Sequence, residues 1–481
     1  MPCPFSERFR SRKPEKSSNV RFVSHLLPNL PRLLLTAILL APASYAQQTP
    51  PADNAVTRAI DPEIAGVIAS IKAFDNHAHP VLPPPNDKTD RNFDALPVDN
   101  MEPETDIVAW RPDNPQLLDA WHALWGFNAA KLPLDDAGMK QLEAARQRIK
   151  AREGTHFDEW VLDQANIATM AANRVELGPI EDPGTKPVRF RWVPYDDALL
   201  FPLDNSALAA ATPDKKLFFP LEDKVRARYL ADSGLTKIPA TLQEYLAKVV
   251  TPTLERQKAG GAIAVKFEIA YLRNFDFTDE NEQTASEFYN GFHHSRPISP
   301  EQYKLLQDFL FRYIAQECGR LGMAVHLHTM SGGGGYFSIA GGNPMLLEPV
   351  FNDPALRKTK FVMLHGGWPF IREAGSLLQK PNIYLDLSQQ ALSFPPRTLA
   401  GWLREWLETF PDKVLFGTDG YPFSDAMGWE ESTWIASRNA RQALGLALTG
   451  MVQDGEITRH RAAEIAAMVL HGNANALYNS R

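Results

Sequence analysis

The sequence predicts a (β/α)8 TIM-like barrel with helical insertions at the C-terminal face of its strands. Short β-like apolar runs alternate with longer stretches of helical periodicity from about residue 57 onwards. Several of these runs end in a histidine or an aspartate, and the C-terminal ends of barrel strands form the face where active sites lie. The eight predicted strands are IKAFDNHA, IATMAANRV, VRFRWVPY, AIAVKFEIAY, MAVHLHT, KFVMLHGG, NIYLDLS and KVLFGTDG.

The first 46 residues have the pattern of a secretory signal peptide. A basic stretch precedes an apolar run from Leu33 to Leu40, and small residues follow as far as Ala46. The run is shorter than the ~20 apolar residues that cross a bilayer. We therefore expect cleavage after Ala46, export to the periplasm and no stable membrane insertion afterwards. Residues 47–56 are predicted to be a linker, and residues 57–481 the barrel.

Charge and cysteine content narrow the class of protein. The formal net charge is −7, and loss of the basic first segment would make the chain more acidic. This disfavours binding to nucleic acid, so the expected partner is a small-molecule substrate. A homo-oligomer is left open. After cleavage only Cys318 would remain, and one cysteine makes no internal disulfide. Stability must then come from the hydrophobic core.

The chain is much longer than the ~250 residues of a minimal barrel. Most of the surplus lies between the first two strands, at about residues 82–155, where a Pro- and Asp-rich part precedes a helical part with three tryptophans. Loops after barrel strands form the rim of the active site. This insertion is therefore either a lid or a helical addition packed beside the barrel.

A second pattern, Ser299-Pro300 followed by Gly322, predicts a long helix with a capped start.

Five side chains at strand ends predict a metal site. His77 and His79 form a His-x-His pair after the first strand, and residues two apart face the same side of a strand. His328, His365 and Asp419 stand at the ends of the fifth, sixth and eighth strands. Such ligands favour Zn²⁺, with Mn, Fe, Co or Ni as alternatives, and the residue types do not decide between one ion and two.

Further polar side chains near these strand ends are candidates for substrate binding. Lys266 has two interpretations: carboxylated, it would bridge two metal ions, and as an ammonium group it would bind a substrate carboxylate together with Tyr271 and Arg273. His326 is deeper on the strand that ends at His328 and is assigned to substrate binding or to support of the ligands. The sequence has no Gly-x-Ser-x-Gly elbow and no His-Glu-x-x-His helix, which disfavours a serine hydrolase and a zincin.

Taken together, the order His-x-His, Lys, His, His and Asp resembles the metal-dependent amidohydrolase superfamily. The sequence is most similar to its amidohydrolase-related branch, which includes the amidohydrolase-like domain fused to glutamine synthetase in some fungal and plant proteins. The resemblance extends in blocks over about residues 71–478. Its motifs are DNHAHP, VLDQAN, RFRWVP, KFEIAYLR, HLHT, NPMLLEPVFNDP, LHGGWPFIREAGSLL, NIYLDLS, VLFGTDG and LHGNANALY.

The resemblance implies a function and a set of roles. His77, His79 and His328 would bind a divalent metal, Asp419 would be a ligand or the catalytic base, and His365 a second-metal ligand or an activating group. The expected reaction is hydrolysis of an amide-like C–N bond or an ester in a small carboxylated compound, with the metal activating water. The alternatives are metal-dependent decarboxylation of an aromatic or unsaturated acid, and a barrel that binds a ligand without turnover.

Overall fold

A computed structural model describes residues 54–57, 59–82, 107–177 and 188–479. The predicted signal peptide (1–46), most of the predicted linker (47–56) and the first part of the predicted insertion (83–106) lie outside the described residues. None of the described helices is both long enough and apolar enough to cross a lipid bilayer.

Within the described residues, eight parallel strands build the centre of the fold. They form two ladders, β1-β2-β3 and β4-β5-β6-β7-β8. Backbone hydrogen bonds join these ladders on both sides, from Ile263 N to Trp192 O (3.0 Å) and from Asn76 N to Phe416 O (2.9 Å). The strands therefore form a continuous ring, and the predicted barrel is confirmed. The strands are β1 (Ala73–Ala78), β2 (Ile167–Asn173), β3 (Phe190–Val193), β4 (Ala264–Phe267), β5 (Ala324–His328), β6 (Lys360–Leu364), β7 (Ile383–Asp386) and β8 (Val414–Leu415).

Helices surround the ring and fill the connections. The α-helices are α1 (Asn54–Thr57), α2 (Pro62–Ser70), α3 (Gln116–Trp125), α4 (Asp136–Glu153), α5 (Phe157–Gln164), α6 (Ser206–Ala209), α7 (Pro213–Asp232), α8 (Leu242–Tyr245), α9 (Thr251–Ala259), α10 (Ile269–Leu272), α11 (Glu282–His293), α12 (Pro300–Leu321), α13 (Glu348–Phe351), α14 (Ile371–Leu377), α15 (Gln390–Ser393), α16 (Pro396–Leu407), α17 (Trp429–Gln453), α18 (Arg459–Ala467) and α19 (Asn473–Asn479). Short 3-10 turns are Val108–Trp110, Gly154–His156, Asp197–Leu200, Ala340–Gly342, Pro344–Leu347, Pro354–Leu356 and His365–Gly367, and π turns are Leu246–Val250 and Met468–Gly472.

Helix α12 begins and ends where the sequence predicts. The Ser299 side chain accepts a hydrogen bond from Gln302 N (3.2 Å), and the Gln302 side chain accepts one from Ser299 N (3.0 Å). This reciprocal capping box satisfies two amides that the first turn leaves without partners. The helix ends at Gly322, whose φ of 65° is the left-handed conformation that glycine adopts without strain.

Alternation along β5 determines which side chains enter the barrel. Ala324 belongs to an apolar cluster inside the ring, whereas Val325 and Leu327 belong to the larger core between strands and helices. Successive side chains of a strand point to opposite faces. His326 and His328 therefore point into the barrel, as the His-x-His spacing predicts.

The C-terminal helix α19 closes the barrel at the N-terminal ends of its strands. The Asn473 side chain donates hydrogen bonds to backbone oxygens of Pro411 and Val414, next to the start of β8. Leu477 and Tyr478 pack against the inner apolar cluster. This end of the barrel is therefore closed by protein, and the site lies at the opposite end.

All eight strands are shorter than the predicted runs, and the difference is largest in the fourth and the eighth. The fourth was expected to continue to Tyr271, but β4 ends at Phe267 and the next apolar residues form α10. Glu268 N bonds to the Asp197 carboxylate (2.8 Å), and this ends the strand ladder. In the eighth, only Val414–Leu415 is regular strand, and the irregular segment that follows leads to Asp419, whose φ is 56°.

Candidate metal centre

Four of the predicted ligands form one cluster at the C-terminal end of the barrel. Potential ligand atoms of His77, His365 and Asp419 all lie within 4.8 Å of one another. His77 Nε2 is 3.1 Å from Asp419 Oδ1, and His365 Nδ1 is 3.9 Å from Asp419 Oδ2. His79 Nε2 lies 3.3 Å from Asp419 Oδ1 and 3.2 Å from His77 Nε2. Side chains from the C-terminal end of β1, the turn after β6 and the segment after β8 therefore meet at one point.

The residues in this cluster fit a divalent cation. Two nitrogen ligands at ~2.0–2.1 Å from a tetrahedral zinc ion are about 3.3 Å apart, close to the separations of 3.1–3.3 Å among His77, His79 and Asp419. Asp419 Oδ1 is buried, and the Nε2 atoms of His77 and His79 lie 3.1 and 3.3 Å from it. Because imidazole nitrogens and carboxylate oxygens are the ligand types that zinc binds, this set of atoms fits such an ion.

The backbone at two of these residues is strained. His365 has φ 65° and Asp419 has φ 56°, in the left-handed region that side chains with a Cβ rarely adopt. Such conformations cost of order 1–3 kcal/mol and persist where the surroundings hold them. Hydrogen bonds do so here, from Asp419 N to His77 O (2.8 Å) and from His365 N to Asp386 Oδ1 (2.8 Å). The fold maintains this strain to direct both side chains at the cluster.

Burial sets the protonation states of the cluster. It lowers the pKa of both His77 and His365 well below the usual range. Burial acts to raise the pKa of Asp419, but the charge interaction with His365 and hydrogen bonds with His77 and His79 outweigh it and hold that pKa well below its usual range. Neutral imidazoles beside an ionised carboxylate are the states in which these groups bind a metal.

His328 stands beside the cluster and faces an acid. Its ring centroid is 4.6 Å from that of His365, and its Nδ1 is 3.5 Å from Glu268 Oε2. Burial is the main cause that lowers the pKa of His328 to about 4. His328 Nε2 and Glu268 Oε2 are both buried without a hydrogen-bond partner. These two side chains could therefore form part of a second ligand-binding position beside the cluster.

Lys266 and Glu268 form a buried ion pair. Lys266 Nζ is 2.7 Å from Glu268 Oε1 and 3.5 Å from His77 Nε2. Burial acts to raise the pKa of Glu268, but the nearby positive charges, that of Lys266 first, lower it below its usual value. The sequence indicates that these two residues share a face but gives Glu268 no role. The structure places its second oxygen toward His328.

Arg273 points away from the cluster. Its guanidinium is 2.6 Å from an Asp308 carboxylate oxygen on α12 and lies 4.4 Å from the centre of the Phe277 ring. These contacts anchor the connection after α10, so they do not support the predicted substrate role of Arg273.

The other two predicted substrate residues lie nearer. The Tyr271 ring centroid is 4.6 Å from that of His328, at the edge of the site. His326 is deeper, with Nε2 2.6 Å from the Tyr478 hydroxyl. Tyr271 therefore lies at the edge of the cluster, whereas His326 lies deeper in the barrel.

Three supporting residues were not singled out by the sequence. The Tyr195 hydroxyl is 2.8 Å from His79 Nδ1. Ser388 Oγ is 2.9 Å from His365 Nδ1 and donates a hydrogen bond to Asp386 Oδ1 (2.6 Å). Such partners fix the orientation of metal-binding imidazoles. The sequence does contain a signal for them, namely a polar side chain near the end of a predicted strand. Tyr195 ends the third predicted strand, and Asp386 and Ser388 lie at the end of the seventh.

Part of the chain matches a known protein family. Residues 278–479 match the amidohydrolase family. Protein FluG of Emericella nidulans is 38% identical over 120 residues, which are 24% of this chain. The matched stretch spans only 13% of that protein's length. The resemblance inferred from the sequence motifs is confirmed.

Solved structures with the same fold include hydrolases and isomerases. A proposed metal-dependent hydrolase from Lactobacillus casei aligns with a TM-score of 0.57 at 17% identity, covering 87% of this chain and 98% of that one. Glucuronate isomerase from Caulobacter crescentus gives 0.55 at 15%, covering 89% and 95%. Uronate isomerase from Thermotoga maritima gives 0.52 at 12%, covering 88% and 98%. Identities this low show the fold and do not decide the reaction.

Proposed function

We propose that this chain, whose residues 278–479 match the amidohydrolase family, is a metal-dependent hydrolase of an amide-like C–N bond or an ester in a small carboxylated compound. The observation that carries the proposal is the meeting of His77, His79, His365 and Asp419 at the C-terminal rim of the barrel. A nucleophile held there would face a substrate that enters from the open end.

Each residue of the cluster has a task in this reaction. His77, His79 and Asp419 would hold the cation, and His328 would complete the set. When bound, the cation would act as a Lewis acid and make water a nucleophile near neutral pH. Asp419 would accept the proton of the attacking water and return it to the leaving group. His365 would either bind a cation or donate a hydrogen bond to the developing oxyanion.

Zinc is the proposed ion, since imidazole and carboxylate ligands suit it well. The number of ions depends on Lys266. Its pairing with Glu268 supports an ammonium group rather than a carboxylated bridge, so we expect one ion. Elemental analysis of the purified protein tests this: about one ion per chain agrees, and about two would restore Lys266 as a bridge.

Substitution of Asp419 tests the acid/base assignment. We expect Asp419→Asn to lower kcat by ~10²–10⁴-fold, because the amide cannot accept the proton, while an oxygen remains to bind the metal. Activity would be measured on amide and ester panels at saturating zinc, with bound metal determined in parallel. Asp425→Asn, an exposed acid after the same strand, is the matched control. Full turnover of Asp419→Asn with metal bound would contradict the assignment.

Decarboxylation of an aromatic acid is the second candidate. Aromatic rings adjoin the cluster on two sides: the Tyr421 ring centroid is 5.8 Å from that of His79, and the Tyr271 ring centroid is 4.6 Å from that of His328. Such surfaces suit a planar substrate. Release of CO₂ from an aromatic-acid panel, with no amine or alcohol released from the hydrolytic panel, would favour this reaction.

Export is a separate proposal that rests on the apolar run before Ala46. N-terminal sequencing of the protein recovered from its native compartment tests it. A first residue of Gln47 agrees, and retention of the basic segment would contradict it.

A further inference from the structure

We propose that Asp386 and Ser388 are positioning residues that keep the proton of His365 on Nδ1, which leaves the lone pair on Nε2 as the one that can bind a cation at the candidate metal centre. This inference deepens the proposed function and rests on it, because it chooses between the two roles of His365. A lone pair can bind a cation, whereas it cannot donate a hydrogen bond to an oxyanion.

The argument begins at Asp386, which is fully buried. Its Oδ1 accepts hydrogen bonds from the backbone amides of His365 (2.8 Å) and Ser388 (3.2 Å), and its Oδ2 accepts one from Asn76 Nδ2 (2.7 Å). Amide N–H groups can only donate. Both oxygens of Asp386 are therefore fixed as acceptors.

The second step is the hydroxyl of Ser388. It has one proton, and Ser388 Oγ lies 2.6 Å from Asp386 Oδ1, so that proton points at the carboxylate. The same oxygen is 2.9 Å from His365 Nδ1. With its proton committed, Ser388 can only accept there, which requires a proton on Nδ1. Asp419 Oδ2, at 3.9 Å from that nitrogen, is beyond hydrogen-bond distance and does not compete.

A third step extends the network through the barrel. The Tyr478 hydroxyl donates to Asn76 Oδ1, and His326 Nε2 lies 2.6 Å from the same hydroxyl. Asn76 is therefore held at both ends of its amide, with its nitrogen toward Asp386. Helix α19 thus contributes to the orientation of His365 from the far side of the barrel interior.

The buried neutral imidazole of His365 carries one proton, and the network places it on Nδ1. Removal of the acceptor frees that proton. Partners of this kind change metal affinity by ~10–100-fold when they are lost. We therefore expect Ser388→Ala to redistribute the His365 proton and to weaken zinc binding within that range.

The experiment uses the full chain labelled with ¹⁵N-histidine. Two-bond ¹H–¹⁵N correlation spectra of the metal-free protein report which ring nitrogen carries the proton, and His365→Gln assigns the signal. We expect the wild type to show the Nδ1–H form and Ser388→Ala to lose its preference. Competition with a chelator then measures the zinc dissociation constant. Ser437→Ala, which removes another buried serine hydroxyl (Oγ to Ala165 O, 2.8 Å), is the control and should change neither quantity.

Two results would overturn the inference. The first is an Nε2–H form of His365 in the wild type. The second is a folded Ser388→Ala protein whose His365 spectrum and zinc affinity both equal those of the wild type. Asp386→Asn gives an independent check, because it removes the acceptor that orients Ser388. The spectra need no substrate, so a failure of the proposed hydrolysis would leave this result interpretable.

Discussion

Asp196 is a buried acid close to, but outside, the candidate metal centre. Its Oδ1 accepts a hydrogen bond from Gln257 Nε2 (2.7 Å), while its Oδ2 is buried without a hydrogen-bond partner. Burial raises the pKa of Asp196 from 3.8 to about 7. The folded protein therefore holds a proton here at pH values where the unfolded chain has released it.

This shift predicts how Asp196→Asn changes the free energy of unfolding. Between about pH 4 and pH 7 the folded state binds one proton more at Asp196 than the unfolded state does. The free energy of unfolding therefore falls as pH rises through this window. Asparagine keeps the acceptor and removes the charge. We expect Asp196→Asn to exceed the wild type in stability by less at pH 5 than at pH 8, where the difference is on the order of a few kcal/mol, and to equal it only below about pH 4.

Urea unfolding at both pH values would measure the difference. Asp279→Asn removes an exposed acid and should show no such dependence. A stability difference that is the same at pH 5 and pH 8 would show that Asp196 is not protonated in the folded protein.

The buried Lys266–Glu268 ion pair predicts that a single and a double substitution differ in stability. Lys266→Met leaves a buried carboxylate without its partner, which typically costs ~3–5 kcal/mol of the free energy of unfolding. Adding Glu268→Gln removes that charge, so the double variant should recover part of the loss. Chemical unfolding of the two variants measures this. Equal stability of the single and double variants would mean that Lys266 does not stabilise an ionised Glu268 carboxylate.

At the residue scale, the sequence predicted the candidate metal-binding side chains better than the residues that form hydrogen bonds with them. His77, His79 and His365 stand out because each ends an apolar run. Asp386 ends its run too, but its carboxylate reaches the imidazole of His365 only through the Ser388 hydroxyl, a contact that the sequence does not show. A hydrogen-bond partner that is remote in sequence leaves no pattern of its own.

Among the elements, the glycine-rich loop after β5 offers a sharp test. A Cβ at Gly332 would lie 2.2 Å from the Tyr271 ring, whereas nothing lies within 4 Å of one at Gly335. Tyr271 is buried between Phe218 and Phe337, so it has little room to move. Gly332→Ala should therefore displace the ring that adjoins His328. Gly335→Ala changes the same loop without this clash.

We expect Gly332→Ala to lower kcat/KM by ~10–100-fold, because small misplacements at a reacting centre have effects of this size, and Gly335→Ala to resemble the wild type. Steady-state kinetics on the substrate identified by the panels would measure both variants. Equal losses in the two variants would point to loop flexibility, and no loss in either would remove Tyr271 from the site.

Prediction of the elements from sequence succeeded where local signals agree. The start of α12 has serine, proline and glutamine in the order of a capping box, and the structure forms it. The residues after Phe267 are apolar and β-like, but they form α10, because a carboxylate from the connection after β3 captures Glu268 N. That contact joins residues 71 positions apart, which a local pattern does not contain.

At the scale of the whole molecule, the cluster depends on closure of the barrel. Asp419 N bonds to His77 O (2.8 Å) and His79 N bonds to Gly420 O (2.9 Å), so the first and eighth strand regions meet where the ligands converge. The alternation of strands and helices predicts such a ring, but the sequence does not contain the register that sets these distances. The lid or packing role of residues 82–155 stays a prediction, because residues 83–106 lie outside the described chain.

A cation bound by β1, β6 and the turn after β8 would link the two ladders of the ring. Binding to the folded state alone stabilises it by mass action, by ~2.7 kcal/mol when free ligand is 100 times the dissociation constant. We therefore expect chelation to lower Tm by several degrees and zinc to restore it. Differential scanning calorimetry measures this, with Asp419→Ala as the variant that should respond least. If Tm were the same after chelation and after reloading, the His77, His365 and Asp419 side chains would meet without a common ion, and their strained backbone would need another cause.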